Sequence, residues 1–189
     1  MASLLSDYPG SAINKNHKLI RAVKSVLTQT YQNFELIVIA DGCAMTEYIV
    51  KHTFTDKRIN LLRVERKELW SNVPRNTGID AARGKYITYL DNDDYYGENH
   101  LRIIDDQMDN TENWLYYNDW RWNGTEFIER QIDVTLYGHC GTSNICHASR
   151  LGLKWEKPGY GHDFLFIKQL RKFEGKKIET PEYFVCHEI

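Results

Sequence analysis

Residues Phe34 to Ala40 read FELIVIA, an apolar run broken only by Glu35 and ending at Asp41-Gly42. Such a run predicts a strand covered on both faces. Upstream, Leu19, Ile20, Val23, Val26 and Leu27 recur at helical spacing and predict an amphipathic helix over Lys15 to Gln29. A short first strand at Ala2 to Leu5 and a loop through Tyr8-Pro9-Gly10 precede it. Downstream, the pattern predicts a helix over Ala44 to His52, a strand over Ile59 to Val64 and a helix over Val73 to Ala82, with Pro74 in its first turn. Arg83-Gly84 closes that helix, Lys85 to Leu90 reads as a fourth strand, and Leu101, Ile104 and Met108 mark a further helix. This alternation predicts an α/β fold with a mostly parallel sheet and helices on both faces. Ligands of such sheets sit beyond the carboxyl ends of the strands, and Asp41 and Asp91 both fall on that edge.

The second half changes rhythm. Trp114 to Tyr117 and Glu126 to Ile132 read as strands, with Asn123-Gly124 a tight-turn signal between them. His139 to Asn144, HCGTSN, is a polar loop of small residues, Asp163 to Phe173 reads as a helix and Tyr183 to Cys186 as a last strand. At 189 residues the chain has room for one well-buried core. A single domain over 1–189 is expected, with one half at about 1–100 and a smaller, mixed half at 101–189.

With Lys+Arg 24 against Asp+Glu 26, no global field draws the chain to nucleic acid or an anionic membrane, so an anionic substrate must be caught by local groups. Cys43, Cys140, Cys146 and Cys186 are not spaced as a secreted disulfide framework, and no signal peptide precedes Ser11; a cytoplasmic chain with reduced thiols is expected. His139-Cys140 and Cys146-His147 mirror one another, but their gap matches no common structural zinc spacing, so ordinary buried cysteines are expected. No apolar run approaches the roughly 18 residues needed to cross a bilayer, so no transmembrane segment is expected.

The stretch YITYLDNDDYYG, Tyr86 to Gly97, aims a hydrophobic alternation at three acids. Carboxylates this close repel one another and resist desolvation, so they require a cation or a set of donors. Asp91 and Asp93, two apart in extended backbone, would share a side, and two hard oxygen ligands suit Mn2+ or Mg2+. The same residues also read as a solvated turn and helix cap.

RAVKSVLTQTYQNFELIVIADG (Arg21 to Gly42), followed by RNTGIDAARGKYITYLDNDD (Arg75 to Asp94), resembles the nucleotide-binding half of the inverting family 2 glycosyltransferases of the GT-A, or nucleotide-diphospho-sugar transferase, fold. The similarity covers roughly Leu19 to Leu101 and extends more loosely to the end. The resemblance implies a role for each matching residue. Asp41 matches the acid that contacts the nucleoside base, and Arg75 a residue lining the nucleotide site. Asp91-Asn92-Asp93 matches the Asp-x-Asp motif, in which the last Asp binds the metal and the first helps hold the ribose or the metal. The family's Pro-Thr-Tyr-Asn-like segment is altered here, at Ser6 to Asn14, with Tyr8 placed among the nucleotide contacts. GYGHDFLFIKQL (Gly159 to Leu170) resembles the segment in which an acid-Asp pair opens a helix and supplies the catalytic base. His162 departs from the usual acid and Asp163 is kept, so Asp163 is the expected base, with helix capping as its alternative role. His187 falls where some members place a histidine that completes the metal shell or touches the diphosphate. Gly141 to Asn144 fall where acceptor-side groups are expected.

The implied activity is an inverting, metal-dependent transfer of a sugar from a nucleotide-sugar donor, a UDP-sugar by the family's commonest usage. The acceptor would be a hydroxyl of a glycan, lipid-linked or protein molecule, and the mechanism a single displacement. A non-catalytic carbohydrate- or nucleotide-binding domain derived from a transferase is the competing reading. Many relatives continue beyond the position of His187, which is compatible with one domain of a longer polypeptide.

Overall fold

The computed structural model describes residues 1–6, 11–66, 71–108, 111–156, 159 and 161–186. The first half alternates as predicted: β1 (Ala2–Ser3), α1 (Lys15–Leu27), β2 (Leu36–Asp41), α2 (Ala44–Thr53), β3 (Ile59–Val64), α3 (Asn72–Ala81) and β4 (Tyr86–Thr88). There follow β5 (Tyr95–Tyr96), α4 (His100–Gln107), β6 (Trp114–Tyr116), β7 (Asp119–Trp122), β8 (Phe127–Arg130), β9 (Ile145–Ala148), α5 (His162–Leu170), β10 (Gly175–Lys177) and β11 (Tyr183–Val185).

β1, β2 and β3 form a parallel sheet in which Leu36 to Asp41 pair with Ile59 to Val64, and Ala2 and Ser3 pair with Ile39 and Ala40. β2 is covered on both faces, which is why its sequence is a run rather than an alternation. On one side α1 and α2 bring Leu19, Ala22, Val23, Val26, Ile49 and Val50 against Leu36 and Val38. On the other, α3 comes so close that a Cβ on Gly78 would stand 3.0 Å from Ile39 Cδ1. β2 stops at Gly42, whose φ of +62° and contact with Arg66, 2.6 Å from a Cβ placed there, suit glycine alone.

The fourth strand departs from expectation. β4 joins no parallel ladder among the described residues; it pairs antiparallel with β9, from Tyr86↔Ala148 to Thr88↔Cys146, at the edge of a second sheet of order β10-β6-β9-β4. The two-residue β1 pairs with β2 alone among the described strands. A cavity of about 590 Å³ lies between the two sheets, lined by residues that include Ile37, Ile39, Ile79 and Ile87 and reaching Arg75 and Asp91 at its end. The third sheet runs β5-β11-β7-β8. Its β7–β8 hairpin turns at Asn123-Gly124 as predicted, with Asn123 Oδ1 accepting from the N–H groups of Thr125 and Glu126, both at 2.9 Å.

Cys140 and Cys146 are buried free thiols whose titration burial pushes up to about 12. His147 is committed to a 2.8 Å hydrogen bond with Tyr89. Among the described residues no helix is long and apolar enough to cross a membrane.

Leu19 is fully buried under the sheet. Leu19→Ala should lower unfolding stability by about 2–5 kcal/mol, read as a reduced urea midpoint at unchanged slope.

Candidate active site

The acidic loop leaves β4 and is fixed by residues far along the chain. Tyr183 Oη accepts from the Asp91 N–H at 3.1 Å and donates to Asp94 Oδ2 at 3.1 Å. The Cys186 N–H donates to Asp94 Oδ1 at 2.7 Å. Burial and the nearby Asp91 and Asp93 charges push the Asp94 carboxyl well above the usual range, against the pull of these donors. Asp94 is therefore a buried anchor joining the loop to β11. Asn92 Nδ2 donates to Ser3 Oγ at 3.4 Å, tying the loop to β1 as well.

Asp91 and Asp93 remain on the open side of the loop. Arg21 Nη2 donates to the Asp93 backbone carbonyl at 2.7 Å, and its guanidinium lies 4.9 Å from the centroid of the Tyr95 ring. Lys18, almost fully buried, donates to the Cys186 carbonyl at 3.1 Å. Burial lowers its titration, and the Asp93 charge works in the opposite direction. Two cations of α1 thus face a loop that the sequence shows only as a run of acids.

Arg75 of α3 occupies the centre. Its Nη2 donates to Asp91 Oδ1 at 3.4 Å and to Thr142 Oγ1 at 3.5 Å; its Nη1 donates to His162 Nε2 at 2.7 Å and to Asp163 Oδ1 at 3.3 Å. The guanidinium lies 4.6 Å from the centroid of the Trp155 ring, and the Arg75 side chain is only 10% exposed, against 43% for Asp91 and 36% for Asp163. Burial raises the Asp91 carboxyl and outweighs Arg75, with Asp93 and Asp163 pushing the same way. Burial also pushes Asp163 upward, but the His162 and Arg75 contacts prevail and hold it below the usual range.

Asp163 is the second residue of α5, whose N-cap is Gly161. Its carboxylate is turned to Arg75 and His162, and no side-chain cap bond is made at this helix start. The HCGTSN loop forms the adjoining wall: a Cβ on Gly141 would stand 3.7 Å from Asp163 Oδ2, and Thr142 Oγ1 donates to Asp91 Oδ2 at 3.4 Å. The loop is held from below by fully buried Asp119, which accepts from Ser143 Oγ at 2.9 Å, Asn144 Nδ2 at 3.1 Å and Arg130 Nε and Nη2 at 2.9 and 2.8 Å.

Of the sequence-predicted residues, Arg75, Asp91 and Asp163 are brought together, with Asp93 on the same loop as Asp91. Asp41 sits nearly buried at the carboxyl end of β2, its carboxyl raised by burial and lowered by Arg66 to a lesser extent. Tyr8 and His187 lie outside the described residues. Thr142 lies in the Gly141 to Asn144 loop expected on the acceptor side, whereas Lys18 and Asp119 were not singled out from the sequence. The one available signal was the lysine interrupting the apolar face of α1.

A layered α/β chain with paired acids at the strand ends and a further acid at a helix start has the architecture of the GT-A transferases. The crystal structure of S. aureus TarS 1-349 matches with a TM-score of 0.73 at 15% identity, covering 91% of this chain and 57% of that one. The mannosyltransferase PcManGT from Pyrobaculum calidifontis, in complex with GDP-Man and Mn2+, matches with a TM-score of 0.67 at 13% identity, covering 92% and 54%. The chain belongs to glycosyl transferase family 2, whose family model matches residues 11–145. It is 34% identical over 119 residues to the UDP-Glc:alpha-D-GlcNAc-diphosphoundecaprenol beta-1,3-glucosyltransferase WfgD of Escherichia coli, covering 60% of this chain and 47% of WfgD. It is also 34% identical over 97 residues to the glycosyltransferase GlyG of Streptococcus pneumoniae, covering 50% and 32%. The chain thus spans less than half the length of either of these curated relatives.

Tyr183→Phe removes the hydroxyl shared by the Asp91 N–H and Asp94 and leaves both short of a partner. It should cost about 1–3 kcal/mol in chemical denaturation, with the overall fold retained by circular dichroism.

Proposed function

We propose that residues 1–189 form a single GT-A domain that acts as an inverting glycosyltransferase, moving a sugar from a UDP-sugar to an acceptor hydroxyl with Asp163 as base. The observation that carries this reading is the bridge made by Arg75, which sets Asp91 and Asp163 on one guanidinium. The WfgD name specifies a UDP-sugar donor and a lipid-diphosphate-linked sugar as acceptor, which favours the same classes here. Asp41 at the end of β2, with Tyr8, is assigned to the nucleoside, and Arg75 and Asp91 to the rest of the nucleotide.

Asp91 and Asp93 fit a hard divalent cation, Mn2+ or Mg2+, because both are carboxylates from one loop while Asp94 is withdrawn into the protein. Among the described residues no group of three or more His, Cys, Asp or Glu side chains is gathered for a metal, so the remaining shell falls to water, diphosphate oxygens and, by our assignment, His187. When bound, such a cation supplies Lewis-acid neutralisation of charge on the departing diphosphate.

The remaining work belongs to the chain itself. Asp163, held below the usual carboxylate range, stays ionised through neutral pH. It takes the acceptor hydroxyl proton as that oxygen attacks the anomeric carbon from the face opposite the leaving group. The carbon–oxygen bond to the acceptor forms as the bond to the diphosphate breaks, and the configuration inverts without a covalent enzyme intermediate. Arg75 keeps the two carboxylates at fixed separation, and the Thr142 loop closes the site beside them.

Screening UDP-sugars for Mn2+-dependent transfer or hydrolysis tests the reading directly. Asp163→Asn should lower transfer by about 10²–10⁴-fold while UDP binding, read by calorimetry, persists. Asp93→Ala should abolish transfer and metal dependence with an intact fold; retained transfer with normal metal dependence would sink the assignment.

A further inference from the structure

Three exposed large hydrophobic side chains, Leu136, Tyr137 and Leu165, come from two segments that meet beside Asp163: the loop before HCGTSN and the first turn of α5. Exposed apolar residues scattered singly need no explanation, but these are gathered, and one of them is held in place. Tyr137 is 63% exposed, yet its ring meets the Phe164 ring edge-on at 5.5 Å. Its hydroxyl end lies over Gly161, where a Cβ would come within 2.7 Å of the ring and 3.0 Å of the hydroxyl. The loop that carries it is pinned along its length. The Ile132 N–H donates to Asn118 Oδ1 at 3.1 Å, Asp133 Oδ1 accepts from the Thr135 N–H and hydroxyl at 2.7 and 2.6 Å, and the His139 carbonyl accepts from Arg130 Nη1 at 3.0 Å. A flat, largely exposed ring thus stands at a fixed place on the rim of the site.

The two oxygens of Asp163 differ. Among the described residues Arg75, at 3.3 Å, and His162, at 3.1 Å, both reach Oδ1. Oδ2 faces Gly141, where a Cβ would stand 3.7 Å away. Glycines therefore border this acid on two sides, Gly141 in the loop and Gly161 at the helix cap, and neither puts a side chain across it. An acceptor hydroxyl has to come within about 3 Å of a base to surrender its proton. A pyranose carrying that hydroxyl brings an apolar C–H face as well as polar edges, and a fixed aromatic ring suits such a face. We propose that the exposed Tyr137 ring is the seat on which the acceptor's sugar ring lies while one of its hydroxyls reaches Asp163 Oδ2. This deepens, and rests on, the reading of Asp163 as base. Phe164 supports the seat, and Leu136 and Leu165 extend its apolar rim. A sugar is favoured over a lipid chain because a chain gains in proportion to the area it removes from water, and one flat ring beside a carboxylate covers little of it.

The test uses methyl and octyl α-glycosides of glucose, galactose, mannose and N-acetylglucosamine as acceptors, the last being the acceptor sugar in the WfgD name. Wild type is compared with Tyr137→Phe, Tyr137→Leu and Tyr137→Ala. Phenylalanine keeps the flat face, leucine keeps apolar bulk without it, and alanine keeps neither. We expect Tyr137→Ala and Tyr137→Leu to raise the acceptor KM about tenfold with kcat little changed, and Tyr137→Phe to stay near wild type. UDP affinity, read by calorimetry, should be the same throughout, and a methyl glycoside should shift the Tyr137 ring signals in NMR. Three results overturn the proposal: an unchanged acceptor KM in Tyr137→Ala, a wild-type value in Tyr137→Leu, which marks a seat for a lipid chain, or a loss of UDP affinity, which places the ring on the donor side. If wild type transfers no sugar to any of these acceptors, the activity reading fails instead. The NMR titration then decides alone, and ring signals unmoved by every methyl glycoside overturn the seat.

Discussion

One planar cation in a nearly closed position governs the site: the Arg75 guanidinium, seated on Trp155 and shared among Asp91, Asp163 and His162. A guanidinium presents several donors in a rigid fork, which a lysine ammonium cannot reproduce. The same cation acts differently on its two acids. Asp163 has Arg75 and His162 against it and is driven toward ionisation; Asp91 has Asp93 and Asp163 nearby and is driven the other way. The acid with abundant donors can stay charged alone, whereas the acid with acidic neighbours gains most from an additional positive charge. Two carboxyls with opposed environments suit two roles, base and cation ligand.

The second half of the chain supplies the stiffness. Tyr183 and the Cys186 N–H grip Asp94, so the loop leaving β4 is fixed by the last strand, about ninety residues later. Asp119 of β7 does the same for the Thr142 loop, gathering Ser143 and Asn144 of that loop and Arg130 of β8. Both anchors are buried acids with multiple donors. In the Asp119 set the Arg130 fork and Ser143 outweigh the desolvation of the carboxylate. Removing either partner of such a set would leave a buried polar group unpaired, which costs more than the bond itself contributes.

Legibility followed how local each interaction is. The helix α1, the strands β2 and β3 and the Asn123-Gly124 turn are dictated by periodicity or by a dipeptide, and the sequence predicted them. β9 was missed because four residues, ICHA, buried at every position, carry no alternation, and their pairing with β4 and β6 is a long-range choice. The separate pairing of β4 was missed for the same reason: its sequence suits either a parallel or an antiparallel neighbour, and its pairing with β9 is a long-range choice. The acids of the site were legible as residue types, and family resemblance gave them roles. The convergence of Arg75 on Asp91 and Asp163 was not, since these positions lie on three separate segments, the outer two 88 residues apart.

The start of α5 separates the structural use of Asp163 from the chemical one. An Asp at a helix start ordinarily stabilises it by capping, a contribution of about 1 kcal/mol. Here the capping position is taken by Gly161 at a φ of +87°, pressed so near Tyr137 that a Cβ would stand 2.7 Å from its ring. A side chain there would have to displace the Tyr137 ring at a strained φ, and Asp163 stands two places after the cap, as the second residue of the helix. Its carboxylate instead faces His162 and Arg75, whose contacts hold it below the usual carboxylate range against the effect of burial. The acid thus contributes to a shared polar cluster rather than to a helix cap, which is the arrangement the proposed base requires.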